Sequence, residues 1–266
     1  MTVVHTLASG SSGNALVILS GGTRILLDAG ISCRRIAGSL SELGLGPGDL
    51  DAILITHTHT DHISGLRTLL KRIDAPVWAT ERTCRGLLDR LPEAEDRLCQ
   101  AAAGTPFEIG SCTVTAVGTS HDAPGACGYR LDTVDGSVGV LTDTGYVTEQ
   151  ASELLCGVDL AVLEANHDVE TLCSGPYPYY LKQRILGPEG HLSNGDAAAF
   201  AVTLAERGAA EIVLAHLSRE NNTPAMARAA VERALAAAGA EVLLSVAPRD
   251  TLGPAHALVG RAVCRR

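Results

Sequence analysis

The sequence is poor in aromatic residues, which make up 3% of its 266 positions, and it lacks long hydrophobic runs. So few aromatic rings argue against a base-stacking platform of the kind that grips single-stranded nucleic acid. No apolar segment approaches the roughly 18 to 20 residues of a membrane-spanning helix, so we predict no membrane partner. The hydrophobic content of 46% and the charged content of 19% exclude an intrinsically disordered chain.

Paired cysteines and a secretory signal are also lacking. The eight cysteines stand alone, at positions 33, 84, 99, 112, 127, 156, 173 and 264, which argues against a disulfide framework and against a thiolate zinc site. The first residues, MTVVHTLASGSSGN, show no basic segment followed by a long apolar one. We therefore predict a cytoplasmic protein whose cysteines are reduced and mostly buried.

Positive charge is scarce relative to negative charge, since 21 Lys and Arg residues against 30 Asp and Glu residues give a net charge of −9. This balance argues against a general electrostatic hold on long nucleic acid. The length allows one large domain or two small ones. Without a repeat or a linker-like segment, we predict a single domain over residues 1–266 and leave the oligomeric state open.

The order of apolar runs predicts an α+β fold in which two sheets carry helices on their outer faces. Strands are predicted near Val77 and at 3–7, 15–19, 24–27, 52–55, 113–117, 128–131, 138–141, 160–163, 211–214 and 241–246. Helices are predicted after Asn194 and at 34–43, 63–73, 149–155 and 224–238. The first three strands, separated by SGSSGN and by Gly21-Gly22, are expected to form antiparallel hairpins.

Nine histidines stand out from this composition, and three of them lie in one motif, His57-x-His59-x-Asp61-His62, between a predicted strand and a predicted helix. Imidazoles two positions apart on an extended loop project to one side. Asp61 and His62, at the turn into the helix, are directed toward a neighbouring point. This geometry suits two adjacent metal ions, and nitrogen and carboxylate donors without thiolate suit Zn²⁺, Mn²⁺ or Fe.

Four donors are too few to complete two metal sites, so we expect further ligands elsewhere in the chain. Three candidates follow predicted strands: His121 in GTSHD, Asp143 in LTDTG and His216 in AHLS. Each lies where a loop residue can reach a shared cleft. His5 and His256 have no such neighbours and are expected to be structural.

The ordered ligand pattern resembles that of the metallo-β-lactamase superfamily over nearly the whole chain. The resemblance implies a four-layer αββα sandwich, the metallo-β-lactamase fold. It also implies a hydrolase that holds two divalent metal ions and uses a metal-bound hydroxide as the nucleophile. The implied ligands are His57, His59 and His121 for one metal, Asp61, His62 and His216 for the other, and Asp143 as the bridge.

Several further segments look like the YycJ/WalJ-type members of this superfamily, which are bacterial nucleases related to tRNase Z and RNase J. These segments are LASGSSGN, LDAGIS, LEANHD, GHLSN and HLSRENN. The resemblance implies a phosphodiesterase, with nucleic acid or another phosphodiester as substrate and exonuclease action as the expected mode. It also implies that His191 is the general acid and that Glu164 orients it. Asp61 is expected to be needed for turnover, and the role of His167 stays open.

Two spacings distinguish this chain from longer relatives. Between His121 and Asp143 there are 21 residues, too few for the protruding substrate-binding arm of long tRNA-processing relatives. Between Asp143 and His216 there are 72, too few for the clamping domain of RNase J relatives. The resemblance therefore favours a minimal catalytic domain.

Other functions are weighed as alternatives. A glyoxalase II-like hydrolase of thioesters or lactones uses a similar ligand set, but a thiolate leaving group needs no acid such as His191 with Glu164. Antibiotic hydrolysis is disfavoured because Asp143 stands where true lactamases commonly have Cys. A binding or regulatory protein with an unused site is disfavoured because all seven ligand positions are filled.

Two polar segments admit two interpretations each. The SGSSGN segment is either only a tight hairpin turn or also a phosphate contact through Ser11, Ser12 or Asn14. Asn221-Asn222, before Thr223, either caps the next helix or contacts substrate. Both choices depend on where these loops lie relative to the metal ligands.

Overall fold

The fold consists of two seven-stranded sheets, seen in a computed structural model that describes residues 1–258. The first sheet contains β1 (Val3–Ala8), β2 (Ala15–Ser20), β3 (Thr23–Leu27), β4 (Ala52–Leu54), β5 (Val77–Ala79), β6 (Leu98–Gln100) and β14 (His256–Ala257). The second contains β7 (Pro106–Ile109), β8 (Cys112–Gly118), β9 (Cys127–Thr133), β10 (Gly136–Leu141), β11 (Leu160–Glu164), β12 (Glu211–Ala215) and β13 (Leu243–Val246). Cys264, predicted as a free thiol, lies outside the described residues.

Residues 1–258 form nine α-helices, most of which cover the outer face of one of the sheets. These helices are α1 (Cys33–Glu42), α2 (Thr60–Ile63), α3 (Leu66–Leu69), α4 (Glu81–Arg90), α5 (Glu149–Leu155), α6 (Val169–Ser174), α7 (Tyr179–Leu186), α8 (Asn194–Glu206) and α9 (Pro224–Ala238). Buried residues of α1, α3 and α4 pack with the first sheet. Buried residues of α5, α8 and α9 pack with the second sheet.

The hydrophobic core is divided into layers by the two-residue period of the strands. In β3, Leu26 belongs to the cluster under α1, whereas Ile25 and Leu27 belong to the cluster between the sheets. Alternate side chains of a strand face opposite sides of its sheet, so one strand supplies two cores. The order helix, sheet, sheet, helix confirms the predicted αββα sandwich. That all 266 residues fold as a single domain stays a prediction.

The strand pairing sets the direction of the loops. β1, β2 and β3 pair antiparallel, which confirms the predicted hairpins. β3, β4, β5 and β6 pair parallel, and so do β10, β11, β12 and β13. The carboxyl ends of parallel strands meet at one edge of a sheet, where loops commonly build a site.

The prediction of a single helix over 63–73 is wrong. The chain forms the two one-turn helices α2 and α3, which meet at Gly65. The Gly65 N–H donates to the Ala29 carbonyl, while the carbonyl of Asp61, its partner in a continuous helix, accepts from Asn14. A Cβ on Gly65 would lie 2.0 Å from a backbone oxygen of the loop after β3. Close packing against that loop therefore interrupts the helix.

Six α-helices and strands were not anticipated from the sequence: α4, α6, α7, β6, β7 and β14. Of these, α6 and α7 lie in the segment that connects β11 to α8. No residue of α7 is fully buried. The 3-10 helices at Pro47–Asp49 and Pro92–Arg97 were not anticipated either. Within residues 1–258, no helix combines the length and the hydropathy that crossing a bilayer requires.

Candidate active site

The seven residues predicted as metal ligands lie together at one edge of the sandwich. They come from four segments that each follow a strand, and Asp61 and His62 lie in the one-turn helix α2. The HTHTDH motif follows β4, and the other three ligands follow β8, β10 and β12. Strand ends in both sheets thus bring together side chains that are far apart in the sequence.

Three histidines form the first group of candidate ligands. The ligand atoms of His57, His59 and His121 all lie within 4.8 Å of one another. Nε2 of His121 is 3.3 Å from Nδ1 of His59. Burial, together with the neighbouring histidines, lowers the pKa of His57 well below its usual value. Its ring is therefore neutral, which is the form that binds a metal.

A carboxylate and two histidines form the second group. Oδ2 of Asp61 is 3.5 Å from Nε2 of His62 and 3.6 Å from Nε2 of His216. Burial would raise the pKa of Asp61, but His216 and His62 lower it more, so the net shift is strongly downward. Asp61 is therefore an anionic donor.

Asp143 lies between the two groups. Its Oδ2 is 3.3 Å from Nε2 of His62, and its Oδ1 is 3.9 Å from Nε2 of His121. Asp143 would therefore be within reach of a cation held by either group.

Several buried atoms of this cluster have no hydrogen-bond partner in the described structure. They are Nε2 of His57, Oδ2 of Asp143 and Nε2 of His216. Unpaired buried polar atoms are costly, and a cation that accepts nitrogen and oxygen donors would satisfy all of them. The residues present therefore fit the binding of divalent metal.

Hydrogen bonds to Nδ1, on the side of the ring opposite the cluster, hold three of the histidine rings. The Nδ1 partners are Asp28 Oδ2 for His62 at 2.7 Å, Thr56 Oγ1 for His57 at 3.0 Å, and the Gly190 carbonyl for His121 at 3.1 Å. These bonds leave Nε2 of each ring to face the cluster. Asp28 and Thr56 were not predicted as site residues from the sequence. The available signal was that Asp28 directly follows a strand in LDAGIS, much as Asp143 follows β10.

Three residues of the site have a left-handed backbone. Asp28, Asp143 and His216 have φ values of 61°, 58° and 55°, and they are the non-glycine residues with positive φ among residues 1–258. Each such conformation costs on the order of 1–3 kcal/mol and persists only where the surroundings impose it. All three lie just after a strand, so the fold uses strained turns to direct these side chains.

Glu164 and His191 lie beside the ligand cluster, in contact as the resemblance implies. Oε1 of Glu164 is 2.8 Å from Nδ1 of His191. Its Oε2 accepts hydrogen bonds from the N–H groups of Thr144 and Leu192. Burial would raise the pKa of Glu164, but His191 and His216 lower it more, so the carboxyl is ionised. With Nδ1 held, Nε2 of His191 is the nitrogen left to meet a substrate.

The same carboxylate oxygen has a second partner that the sequence did not reveal. Oε1 of Glu164 is also 2.8 Å from Nδ1 of His216. Burial lowers the pKa of His216, but Asp143, Asp61 and Glu164 raise it to about 10. Glu164 therefore links the predicted general acid to a predicted metal ligand.

The SGSSGN segment is a hairpin turn and also reaches the site. It joins β1 to β2. Nδ2 of Asn14 lies 3.1 Å from Nε2 of His62, and Ser11 lines a cavity beside His191. The two interpretations of this segment are therefore compatible.

The predicted capping role of Asn221-Asn222 is wrong, because the side chain of Thr223 caps α9. Both asparagines are buried, and their contact with substrate stays a prediction. Nδ2 of Asn222 donates to the Ala165 carbonyl and to Oδ1 of Asn194, which ties the residue after β11 to the start of α8.

The remaining histidines lie outside the ligand cluster. His256 in β14 contacts Oε1 of Glu211 through Nδ1 at 2.6 Å, and His5 in β1 contacts the Gly253 carbonyl. Both are structural, as predicted. His167 is buried with both ring nitrogens unpaired, and burial lowers its pKa to about 4, against the opposing effect of Glu164.

The chain is similar to proteins of one superfamily. Residues 23–217 match the family model described as the beta-lactamase superfamily domain. The chain is 38% identical to exodeoxyribonuclease WalJ of Streptococcus pneumoniae, over 92% of each chain. It is 36% identical to exodeoxyribonuclease YycJ of Bacillus anthracis, over 86% of this chain and 87% of that one. Its fold is similar to that of the metallo-beta-lactamase fold protein YhfI from Bacillus subtilis, with a TM-score of 0.71 at 17% identity, over 96% of this chain and 99% of that one.

Proposed function

Because the chain belongs to the metallo-β-lactamase superfamily, we propose that it is a metal-dependent exodeoxyribonuclease, an enzyme that hydrolyses phosphodiester bonds from an end of DNA. The names of two relatives that match most of the chain support this substrate. The observation that carries the proposal is the contact between His191 and Glu164 at the edge of the ligand cluster.

The proposed enzyme holds two divalent cations. His57, His59 and His121 bind one, Asp61, His62 and His216 bind the other, and Asp143 lies between them. Imidazole and carboxylate donors without thiolate suit Zn²⁺ or Mn²⁺, and also Fe. When bound, such cations lower the pKa of water and neutralise charge on phosphoryl oxygens. Elemental analysis of the purified chain tests both the number and the identity of the ions.

In the proposed reaction, His191 supplies a proton to the leaving group. A sugar alkoxide is a poor leaving group unless it is protonated as the bond to phosphorus breaks. Glu164 holds Nδ1 of the ring, so Nε2 is the nitrogen that can give up the proton. The buried carboxylate also places a negative charge directly behind this ring.

This arrangement favours a phosphodiester over the alternative thioester substrate. A thiolate leaves without protonation, so a thioesterase gains nothing from an acid at this position. A buried carboxylate paired with a partly exposed histidine is the arrangement expected where the leaving oxygen needs a proton. The proposed function therefore places His191 and Glu164 among the catalytic machinery, with Asp61 as a metal ligand on which turnover depends.

A panel of labelled oligonucleotides, incubated with the Mn²⁺- or Zn²⁺-loaded chain, tests the proposal. We expect stepwise release of nucleotides from an end of DNA, and loss of this activity after chelation. The Asp61→Ala variant should stay folded by circular dichroism but lose turnover. Hydrolysis of a thioester without any cleavage of DNA would refute the proposal.

The proposed enzyme is one domain of 266 residues that acts in the cytoplasm. The single cluster of buried residues shared by the two sheets supports one domain. The seven described cysteines are free thiols, the state that a reducing compartment maintains. Cell fractionation with an antibody to the chain tests the location.

A further inference from the structure

The ring of His59 differs from those of the other four candidate histidine ligands. In each of those four rings, Nδ1 has a hydrogen-bond partner. In His59, Nδ1 lies 3.3 Å from Nε2 of His121 and so faces the ligand cluster. Nε2 of His59 is therefore the nitrogen that a partner outside the cluster would have to hold.

The carboxylate of Asp122, the residue after the candidate ligand His121, faces this nitrogen. Oδ1 of Asp122 lies 3.5 Å from Nε2 of His59, slightly more than the length of a normal hydrogen bond. The same oxygen is buried and has no hydrogen-bond partner in the described structure. An unpaired buried carboxylate oxygen is costly, and an N–H group at Nε2 of His59 would satisfy it.

The other oxygen of Asp122 is fixed from α7. Nε of Arg184 donates to Oδ2 of Asp122 at 2.5 Å. Hydrogen bonds in which both groups are charged are shorter and stronger than neutral ones. Because Arg184 engages Oδ2, Oδ1 is the oxygen left to face His59.

Two further contacts join the loop after α7 to the segment that carries Asp122. The Asp122 N–H donates to the Glu189 carbonyl at 3.2 Å. Oγ of Ser120 donates to the Pro188 carbonyl at 2.8 Å. The position of the Asp122 carboxylate thus depends on α7 and on the loop that follows it.

We propose that Asp122 is a positioning residue for the first group of candidate ligands: it accepts a hydrogen bond from Nε2 of His59 and so holds Nδ1 toward the metal. The inference rests on the metal-binding part of the proposed function. A carboxylate behind a ligating histidine fixes the orientation of the ring and raises its basicity. Asp122 would serve His59 as Asp28 serves His62, and Arg184 makes α7 part of the support of the site.

Direct binding of the metal by Asp122 is the alternative. Oδ1 of Asp122 also lies 3.5 Å from Nε2 of His121, so it is close to the ligand atoms. Of the two ring nitrogens of His59, however, the carboxylate approaches Nε2, whereas a carboxylate on the same ion would be expected beside Nδ1. The geometry therefore favours an action through the ring of His59.

Competition for Zn²⁺ between the chain and chromophoric chelators of graded affinity tests this role. We expect Asp122→Asn to weaken one Zn²⁺ site by about 10- to 100-fold, the usual effect of losing a partner behind a ligand. In a His59→Ala background the same substitution should change the affinity by less than about twofold, because a residue that acts through His59 has nothing left to position.

Glu232→Gln is the matched control for Asp122→Asn. The carboxylate of Glu232 pairs with Nε of Arg228 at 2.6 Å, in α9 and outside the ligand cluster. Its replacement removes a similar ion pair without touching a candidate ligand. We expect the Zn²⁺ affinity of this variant to equal that of the wild type.

Hydrogen exchange measured by mass spectrometry tests the contribution of α7. Zn²⁺ at saturation should slow amide exchange in α7 of the wild type, because a contact that helps to hold the metal is itself stabilised by the metal. Arg184→Ala should reduce this protection, and Arg228→Ala should leave it unchanged. Equal protection in Arg184→Ala and the wild type would overturn the role of α7.

The outcomes separate this inference from the proposed function. Unchanged Zn²⁺ affinity in Asp122→Asn would refute the positioning role. A full further loss in the His59→Ala background would also refute it, since a direct ligand or a general effect on the fold gives additive losses. A chain that shows the expected affinities but cleaves no DNA would refute the nuclease alone. A wild type that binds no divalent cation would refute the proposed metal centre and this inference with it.

Discussion

Nδ1 of His191 lies 2.8 Å from Oε1 of Glu164, a carboxylate with no exposed surface. The other oxygen of Glu164 accepts two backbone N–H groups, so the carboxylate cannot turn away from the ring. Nε2 is thereby the ring nitrogen that this contact leaves free. This contact predicts how substitutions of the two residues differ.

Replacing His191 should slow the release of a poor leaving group and spare a good one. We expect His191→Ala to lower kcat on DNA by about 10²- to 10⁴-fold, the usual contribution of a general acid. A p-nitrophenyl phosphodiester, whose leaving group needs no proton, should be hydrolysed at nearly the wild-type rate. Steady-state rates on both substrates, with metal content measured alongside, check this. An equal loss on both substrates would contradict the general-acid role.

Replacing Glu164 should affect both turnover and metal binding. Glu164→Gln removes the charge that faces Nδ1 of His216 as well as that of His191. Loss of such a partner behind a metal ligand typically weakens metal affinity by about 10- to 100-fold. Metal titration of this variant, with His191→Ala as the control that keeps its metal, measures the difference. If both variants retain metal equally, the contact between Glu164 and His216 does not contribute to metal binding.

Asp28 should matter for metal affinity although it lies behind the ligands. Asp28→Asn keeps the size of the side chain, and asparagine tolerates the left-handed backbone at this position. We expect metal affinity to fall by about 10- to 100-fold, because the carboxylate no longer fixes the His62 ring. Asp28→Ala adds backbone strain and should unfold at a lower temperature than Asp28→Asn. Unchanged affinity in Asp28→Asn would show that the contact with His62 does not orient it.

Gly30 should be intolerant of a side chain because of its contact with the ligand loop. A Cβ at Gly30 would lie 1.6 Å from the carbonyl of Asp61, whereas one at Gly38 would meet nothing within 4 Å. We expect Gly30→Ala to destabilise the fold by about 3 kcal/mol or more. Gly38→Ala, on the exposed face of α1, should stabilise it by up to about 1 kcal/mol. Urea unfolding of both variants measures this, and similar midpoints would contradict the close approach.

His57, His59, Asp61 and His62 lie within six consecutive residues, so the sequence alone shows that these donors are close together. The other three ligands were predictable because each follows an apolar strand, and strand ends converge in this kind of sandwich. The apolar run at 24–27 likewise predicted the strand β3 (Thr23–Leu27). Local chain geometry is sufficient for all of these features, since none depends on knowing which distant residue lies opposite.

Tertiary structure decided what depends on distant partners. Gly65 interrupts a helix because a neighbouring loop approaches it too closely, and nothing in the local pattern reveals that loop. Glu164 meets His216 as well as His191 because parallel β11 and β12 bring their ends side by side. Arg184 reaches Asp122, the neighbour of His121, only because α7 folds back toward the cluster. Side chains remote in sequence meet through packing, and packing leaves no periodic signal in the chain.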